Sequence, residues 1–167
     1  IPTIPNYIIT SSLAAPALLE MGVPLIVSHM FVFYFGIMAD LTPPVALAAF
    51  AASPIARESG LKIGIQAMRI AVAGFVVPYM AVYAPALMMQ SGTLLDTAYV
   101  LLKALIAIGL WGAASVGYLW VPMAWYERIL AIVGAFMLVV ASALTDQIGF
   151  ALCALVLLVH WRRRRAA

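Results

Sequence analysis

Long apolar runs, cut at a few places by prolines or small polar clusters, set the pattern of this chain. Alternation of apolar and polar positions, the mark of a membrane β-strand, is missing from stretches such as 45–52. A helix that crosses a bilayer needs about 20 largely apolar residues, and several runs reach that length. Residues 1–20 are too interrupted for a simple span, because Pro2, Pro5 and Pro16 each remove a backbone donor. They predict a half-helix starting within the membrane, with residues 1–6 as its non-helical tip and a turn over 20–24. Residues 25–56 are long enough to cross but are broken at Asp40-Leu41-Thr42-Pro43-Pro44. Two successive prolines cannot continue a regular helix, so the pattern predicts a discontinuous helix: 26–39, an unwound stretch, then 45–56.

The remaining runs predict further spans. Arg57, Glu58, Lys62 and Arg69 bracket a polar loop containing Ser59 and Gly60. A span over 70–90 follows, with Pro78 and Pro85 as kinks, then an outside turn at Ser91-Gly92-Thr93. The next span covers 98–122. Lys103, near its start, is expected to snorkel toward water. Trp120, Trp125 and Tyr126 read as an interfacial belt, with Glu127 and Arg128 marking the cytoplasmic surface. As one helix, residues 129–161 would be about 50 Å long, well beyond the hydrocarbon thickness of about 30 Å. A break at Thr145-Asp146-Gln147 is therefore expected, giving a short hairpin with arms of about 15 residues. Asp146 then lies in a turn near the outer surface.

Composition sharpens the class. Of 167 residues, 66% are hydrophobic and 9% charged, against about 25% charged in soluble domains. Mean hydropathy is +1.12. The net charge of +3 comes from a terminal run, Arg162 to Arg165, and one loop. That is the distribution of cytoplasmic anchors under the positive-inside rule, not the basic surface of a nucleic-acid binder. Cys153 is the single cysteine, which excludes an intrachain disulfide. No metal-spaced His/Glu pair, nucleophile elbow or phosphate loop occurs, so the chain reads as a non-enzyme that needs no cofactor. It starts without Met or a basic n-region, inside an apparent membrane segment, and is expected to be part of a longer polypeptide.

Asp40 is the first candidate for chemistry. An acid at the centre of a membrane helix is costly unless it is paired or protonated. Beside an unwound stretch, freed carbonyls become available to a cation, which is how many secondary transporters build their sites. The plainer reading is that Asp40 caps the second half-helix. The second candidate is the tip Pro2-Thr3-Ile4-Pro5-Asn6, where Thr3 and Asn6 offer neutral oxygens suited to a hard cation, or else an ordinary loop. His29, among Phe31, Phe33 and Phe35, reads as a packing residue.

Two stretches look familiar. Ile1-Pro-Thr-Ile-Pro-Asn-Tyr-Ile-Ile9 and His29-Met-Phe-Val-Phe-Tyr-Phe-Gly-Ile-Met-Ala-Asp-Leu-Thr-Pro-Pro-Val-Ala-Leu-Ala-Ala-Phe50 resemble the large membrane subunit of TRAP transporters. The resemblance is nearest to the fused permease that works with TAXI-type substrate-binding proteins. Of the Gly-Met-Gly-x-Pro-Thr hairpin tip typical of members, only Ile1-Pro2-Thr3 remains. The second half of the chain looks like the C-terminal extension found on some fused permeases.

The resemblance implies an all-α membrane protein, part of an elevator-type transporter with inverted repeats, each with a re-entrant hairpin and a discontinuous helix. Residues 1–95 would form the C-terminal part of the transport region. Residues 96–167 would form a membrane extension with one span and a short helical hairpin. The implied function is import of small organic anions, delivered by a periplasmic TAXI-type binding protein and driven by sodium. The implied partners are the rest of the permease, including its first repeat and small-subunit helices, and membrane lipid. The implied location is the bacterial or archaeal cytoplasmic (inner) membrane, multi-pass, with a cytoplasmic C-terminus. Carried over residue by residue, the ion and substrate site would use Pro2, Thr3, Asn6, Thr42, Pro43 and Pro44, with sodium at Thr3, Asn6 and Thr42. Many relatives lack an acid at the Asp40 position, and a coupling proton carried there is the alternative to sodium. The rival function is a non-transporting membrane anchoring or assembly module.

Overall fold

The computed structural model describes residues 3–140 and 142–166, all of them helix, turn or loop. Among these residues there is no strand, only an isolated bridge between Tyr118 and Pro122. Seven α-helices follow one another: α1 (Thr3–Glu20), α2 (Leu25–Met38), α3 (Leu47–Ala56), α4 (Gly60–Tyr83), α5 (Leu94–Val116), α6 (Trp125–Val139) and α7 (Ala143–Ala166). A short 3-10 turn, Pro85–Met88, separates α4 from α5.

Three of these helices, α4, α5 and α7, are long and apolar enough to cross a membrane. At 1.5 Å per residue α2 and α3 reach only about 21 and 15 Å, so neither crosses a hydrocarbon layer of about 30 Å alone. The chain separates them at residues 39–46, in agreement with the break expected from Pro43 and Pro44.

Other boundaries differ from the sequence reading. The tip was expected to be non-helical through Asn6, but α1 starts at Thr3. Pro5 is harmless there, because the first four N–H groups of a helix have no internal partner. The polar loop expected around residues 57–69 shrinks to three residues. Ser59 caps α4 by accepting from the Lys62 amide, so Lys62 and Arg69 lie on the helix. α5 stops at Val116, where Gly117 adopts φ +77°, a left-handed cap that glycine takes without steric cost. In the last apolar stretch α6 ends at Val139 and α7 begins at Ala143, just before the predicted break at Thr145-Asp146-Gln147. α7 therefore has 24 residues, far longer than the 15-residue arm expected, and Asp146 falls in its first turn.

Packing follows chain order. α1 lies against α2, α3 and α2 against α4, and α4 against α5; α5, α6 and α7 then stack in succession. The principal core joins α4 to α7 through Met80, Ala104, Ala107, Ala114, Ala131, Ala135, Leu138 and Val156. Small residues allow the close approach usual between membrane helices. At the α6–α7 contact, a Cβ on Gly149 would fall 2.7 Å from Leu138 Cγ and 3.1 Å from the Leu138 backbone nitrogen. Backbone cannot yield as a side chain can, so Gly149→Ala is expected to destabilise the fold by about 1–3 kcal/mol. Detergent thermal melts of the purified variant check this, and an unchanged midpoint would contradict the packing.

Candidate functional site

The helix break is built from its own hydrogen bonds. At the end of α2, Met38 O accepts both the Leu41 amide (3.1 Å) and the Thr42 hydroxyl (2.8 Å). Ala39 O accepts from Thr42 N, Thr42 O from Ala46 N, and Asp40 O from Ala48 N. The last of these satisfies a first-turn donor of α3. The capping reading of Asp40 therefore needs correcting: its carbonyl, not its carboxylate, serves α3, whose N-cap is Ala46 with no side-chain cap. Ala46 is fully buried at φ +38°, a left-handed conformation that costs a non-glycine residue about 1 kcal/mol. Gly64 of α4 admits the break closely: a Cβ there would lie 3.0 Å from Pro43 Cγ and 3.4 Å from Ala46 Cβ.

The Asp40 side chain is half-buried, and its carboxylate makes no hydrogen bond or ion pair among the described residues. The carbonyls of Ala39, Asp40 and Thr42 each hold one donor and keep a second lone pair. Asn6 comes to the same region from α1. Its Nδ2 donates to Gly36 O at 3.3 Å, which leaves Oδ1 as a neutral acceptor. A cleft of about 430 Å³ joins Asn6 and Thr10 of α1 to Phe35, Gly36 and Ala39 around the end of α2, with Tyr79 of α4 on its wall. The fold thus brings Asn6 to Gly36, one turn before Asp40, while the Thr42 hydroxyl is turned back onto Met38. Pro43 serves packing against α4, and Pro44 is exposed. Pro2 lies outside the described residues, and Thr3 is the first residue of α1. His29 Nδ1 lies 2.8 Å from the Tyr7 hydroxyl, so the imidazole is a bridge between α1 and α2.

A break between two short helices that leaves spare carbonyl lone pairs, with the Asn6 amide bonded at the end of the first of them, resembles the discontinuous helices of secondary transporters. Residues 1–94 match the family described as Tripartite ATP-independent periplasmic transporter, DctM component. The chain belongs to this family. No match was found among curated proteins or among solved structures. The DctM component is a membrane transporter, not an enzyme, and TRAP systems work with a periplasmic binding protein and a small subunit. The match takes in α1 to α4 and the whole of the helix break; α5, α6 and α7 run on beyond it.

Those later helices of the DctM chain carry two buried polar clusters. Lys103 of α5 is 2% exposed, and its Nζ meets Asp146 Oδ1 of α7 at 2.7 Å. Tyr99 donates to Asp146 Oδ2 at 2.8 Å. The expected snorkelling of Lys103 is thus overturned, and so is the surface turn at Asp146: one turn of α7 carries the carboxylate inward to the lysine.

The second cluster joins α6 and α7. Glu127 was expected to mark a surface, yet it is fully buried. Its Oε2 accepts from Ala124 N at 2.8 Å and from Arg163 Nη1 at 2.6 Å, and faces His160 Nδ1 at 3.4 Å. The Trp120 and Val121 amides donate to His160 Nε2, so Nε2 is unprotonated and the proton sits on Nδ1, toward Glu127. His160 passed unnoticed in the sequence, and Arg163 was read as one of four equal anchors. The available signal was an acid and a base at matching depths on apolar stretches, which membranes tolerate only in pairs.

Proposed function

We propose that the chain is the C-terminal portion of an ion-coupled fused permease that imports small organic anions. In this reading a periplasmic TAXI-type protein delivers the substrate, and the coupling ion binds at the break between α2 and α3. The observation that carries it is the break over residues 39–46, which holds the unpartnered Asp40 carboxylate and three carbonyls with spare lone pairs, with the Asn6 amide bonded to Gly36 one turn before it. α1 and α2 would form a re-entrant hairpin with the broken helix behind it, one half of an elevator-type inverted repeat. The other half and the small-subunit helices would be supplied by the rest of the permease. Sodium fits the neutral oxygens of Asn6, Thr3 and the break; a proton fits Asp40. Every basic residue except Lys103 lies at one end of the bundle, near the start of α4 and α6 and the end of α7, and the positive-inside rule makes that end cytoplasmic in the inner membrane.

The test is uptake into proteoliposomes holding the full-length protein and its binding protein, with sodium and proton gradients imposed separately. Asp40→Asn is expected to abolish proton-driven uptake, or to leave sodium-driven uptake reduced but present, without loss of expression. Full accumulation by this variant under both gradients would remove Asp40 from coupling.

A second reading concerns α5 to α7 alone. Their two buried polar clusters tie the three helices into a rigid unit, which suits anchoring or assembly. Removing α5 to α7 from the full-length protein should then change the size of the complex and leave transport intact.

A further inference from the structure

We propose that the cleft between α4 and the α5–α6 corner binds the headgroup of an anionic phospholipid, with Arg69 and Arg128 as its phosphate ligands. The cleft measures about 670 Å³. One wall is apolar, formed by Ile65, Met68 and Val72 of α4 and by Trp111 of α5. The other end carries Arg69, Arg128 and Ser115, and no acidic residue lines it. Arg128 is held in place: its Nε donates to Ala114 O at 2.7 Å and its Nη2 to Ser115 O at 3.4 Å. Those bonds satisfy carbonyls at the end of α5 without neutralising the guanidinium. Arg69 is exposed, and it makes no hydrogen bond or ion pair among the described residues.

An unpaired arginine on a helix long enough to span is unfavourable in hydrocarbon. Two guanidinium forks facing one cavity match the oxygens of a phosphate, which arginine binds in a bidentate manner. The apolar wall selects among anions. A soluble anion leaves Ile65, Val72 and Trp111 uncovered, whereas a phospholipid lays an acyl chain along them. The position fits as well, since basic pockets between membrane helices near the cytoplasmic surface take anionic headgroups. The bound lipid would bridge α4, inside the family match, to α5 and α6 beyond it. This site shares no residue with the helix break and stands independently of the transport reading.

Native mass spectrometry of the full-length protein, delipidated in detergent and titrated with phosphatidylglycerol or phosphatidylcholine, tests it. One phosphatidylglycerol is expected to be retained about 25-fold more tightly than phosphatidylcholine, since each of the two arginines near the headgroup contributes about fivefold. Arg69→Gln should lower that affinity about fivefold. Val72→Trp, which keeps both arginines and fills the apolar wall, should lower it as well. The double variant Arg164→Gln/Arg165→Gln should leave it unchanged. Equal retention of the two lipids, or wild-type affinity in Arg69→Gln, would overturn the site. Loss of binding in the terminal-arginine variant would overturn it in favour of that run. Displacement of the lipid by millimolar inorganic phosphate would overturn it in favour of a soluble anion.

Discussion

Lys103→Met is expected to destabilise the protein by about 3–5 kcal/mol, the usual cost of leaving one partner of a buried ion pair uncompensated. Lys103 is 2% exposed and Asp146 8%, so solvent cannot replace the lost charge, and only the Tyr99 hydroxyl would remain on the carboxylate. The double replacement Lys103→Met/Asp146→Leu removes both charges and should recover most of the lost stability, because a buried pair gains little over apolar residues of similar volume. Thermal unfolding of the purified full-length protein in detergent measures both. A double variant no more stable than Lys103→Met would show that the pair is not the source of the loss.

Glu127→Leu is expected to cost about 2–6 kcal/mol. The replacement strands two buried donors, the Ala124 amide that opens α6 and the His160 Nδ1–H, and each unsatisfied donor costs about 1–3 kcal/mol. The ion pair with Arg163 adds less, because that side chain is 41% exposed and screened. Glu127→Gln can keep the acceptor at the Oε2 position and so preserve the cap, but it puts an amide NH2 at the Oε1 position, which is buried with no partner among the described residues; it should therefore cost about 1–3 kcal/mol. Trp120 lies 5.9 Å from the His160 ring, so in a background with the other three tryptophans replaced by Phe its fluorescence reports local loosening alongside the global melt. A Glu127→Leu protein that melts like wild type, with unchanged Trp120 emission, would mean that the cluster does not hold α6 to α7.

The helix break was legible because its cause is local. Pro43 and Pro44 lack amide hydrogens, and no distant contact can restore them. The need for a break in the last apolar stretch was legible from length alone. Its place was not: α6 ends at Val139 and α7 begins at Ala143, which puts Asp146 in the first turn of α7, on Lys103, 43 residues away in sequence. The tip was misread for a related reason. A proline in the first turn costs no internal hydrogen bond, and α1, α3 and α4 also run through Pro16, Pro54 and Pro78; only the position of Thr3 decides that Pro5 falls in the first turn. In the candidate site, Asp40 and Asn6 were visible as polar residues at membrane depth. The use of the Thr42 hydroxyl on Met38 and of the Asp40 carbonyl on Ala48 was not.

By itself, then, the sequence determined the membrane class, the number and rough extent of the apolar helices, and the discontinuity at Pro43-Pro44. Each follows from side-chain hydrophobicity and backbone donors acting over a few residues. The tertiary structure alone decided which ionisable groups meet. Lys103 faces Asp146, and Glu127 faces His160 and Arg163. Asn6 reaches the end of α2, while Arg69 and Arg128 share a cleft. Those meetings depend on how helices rotate about their axes and pack across tens of residues. Hydrophobic pattern constrains that rotation weakly in a chain that is apolar on nearly every face.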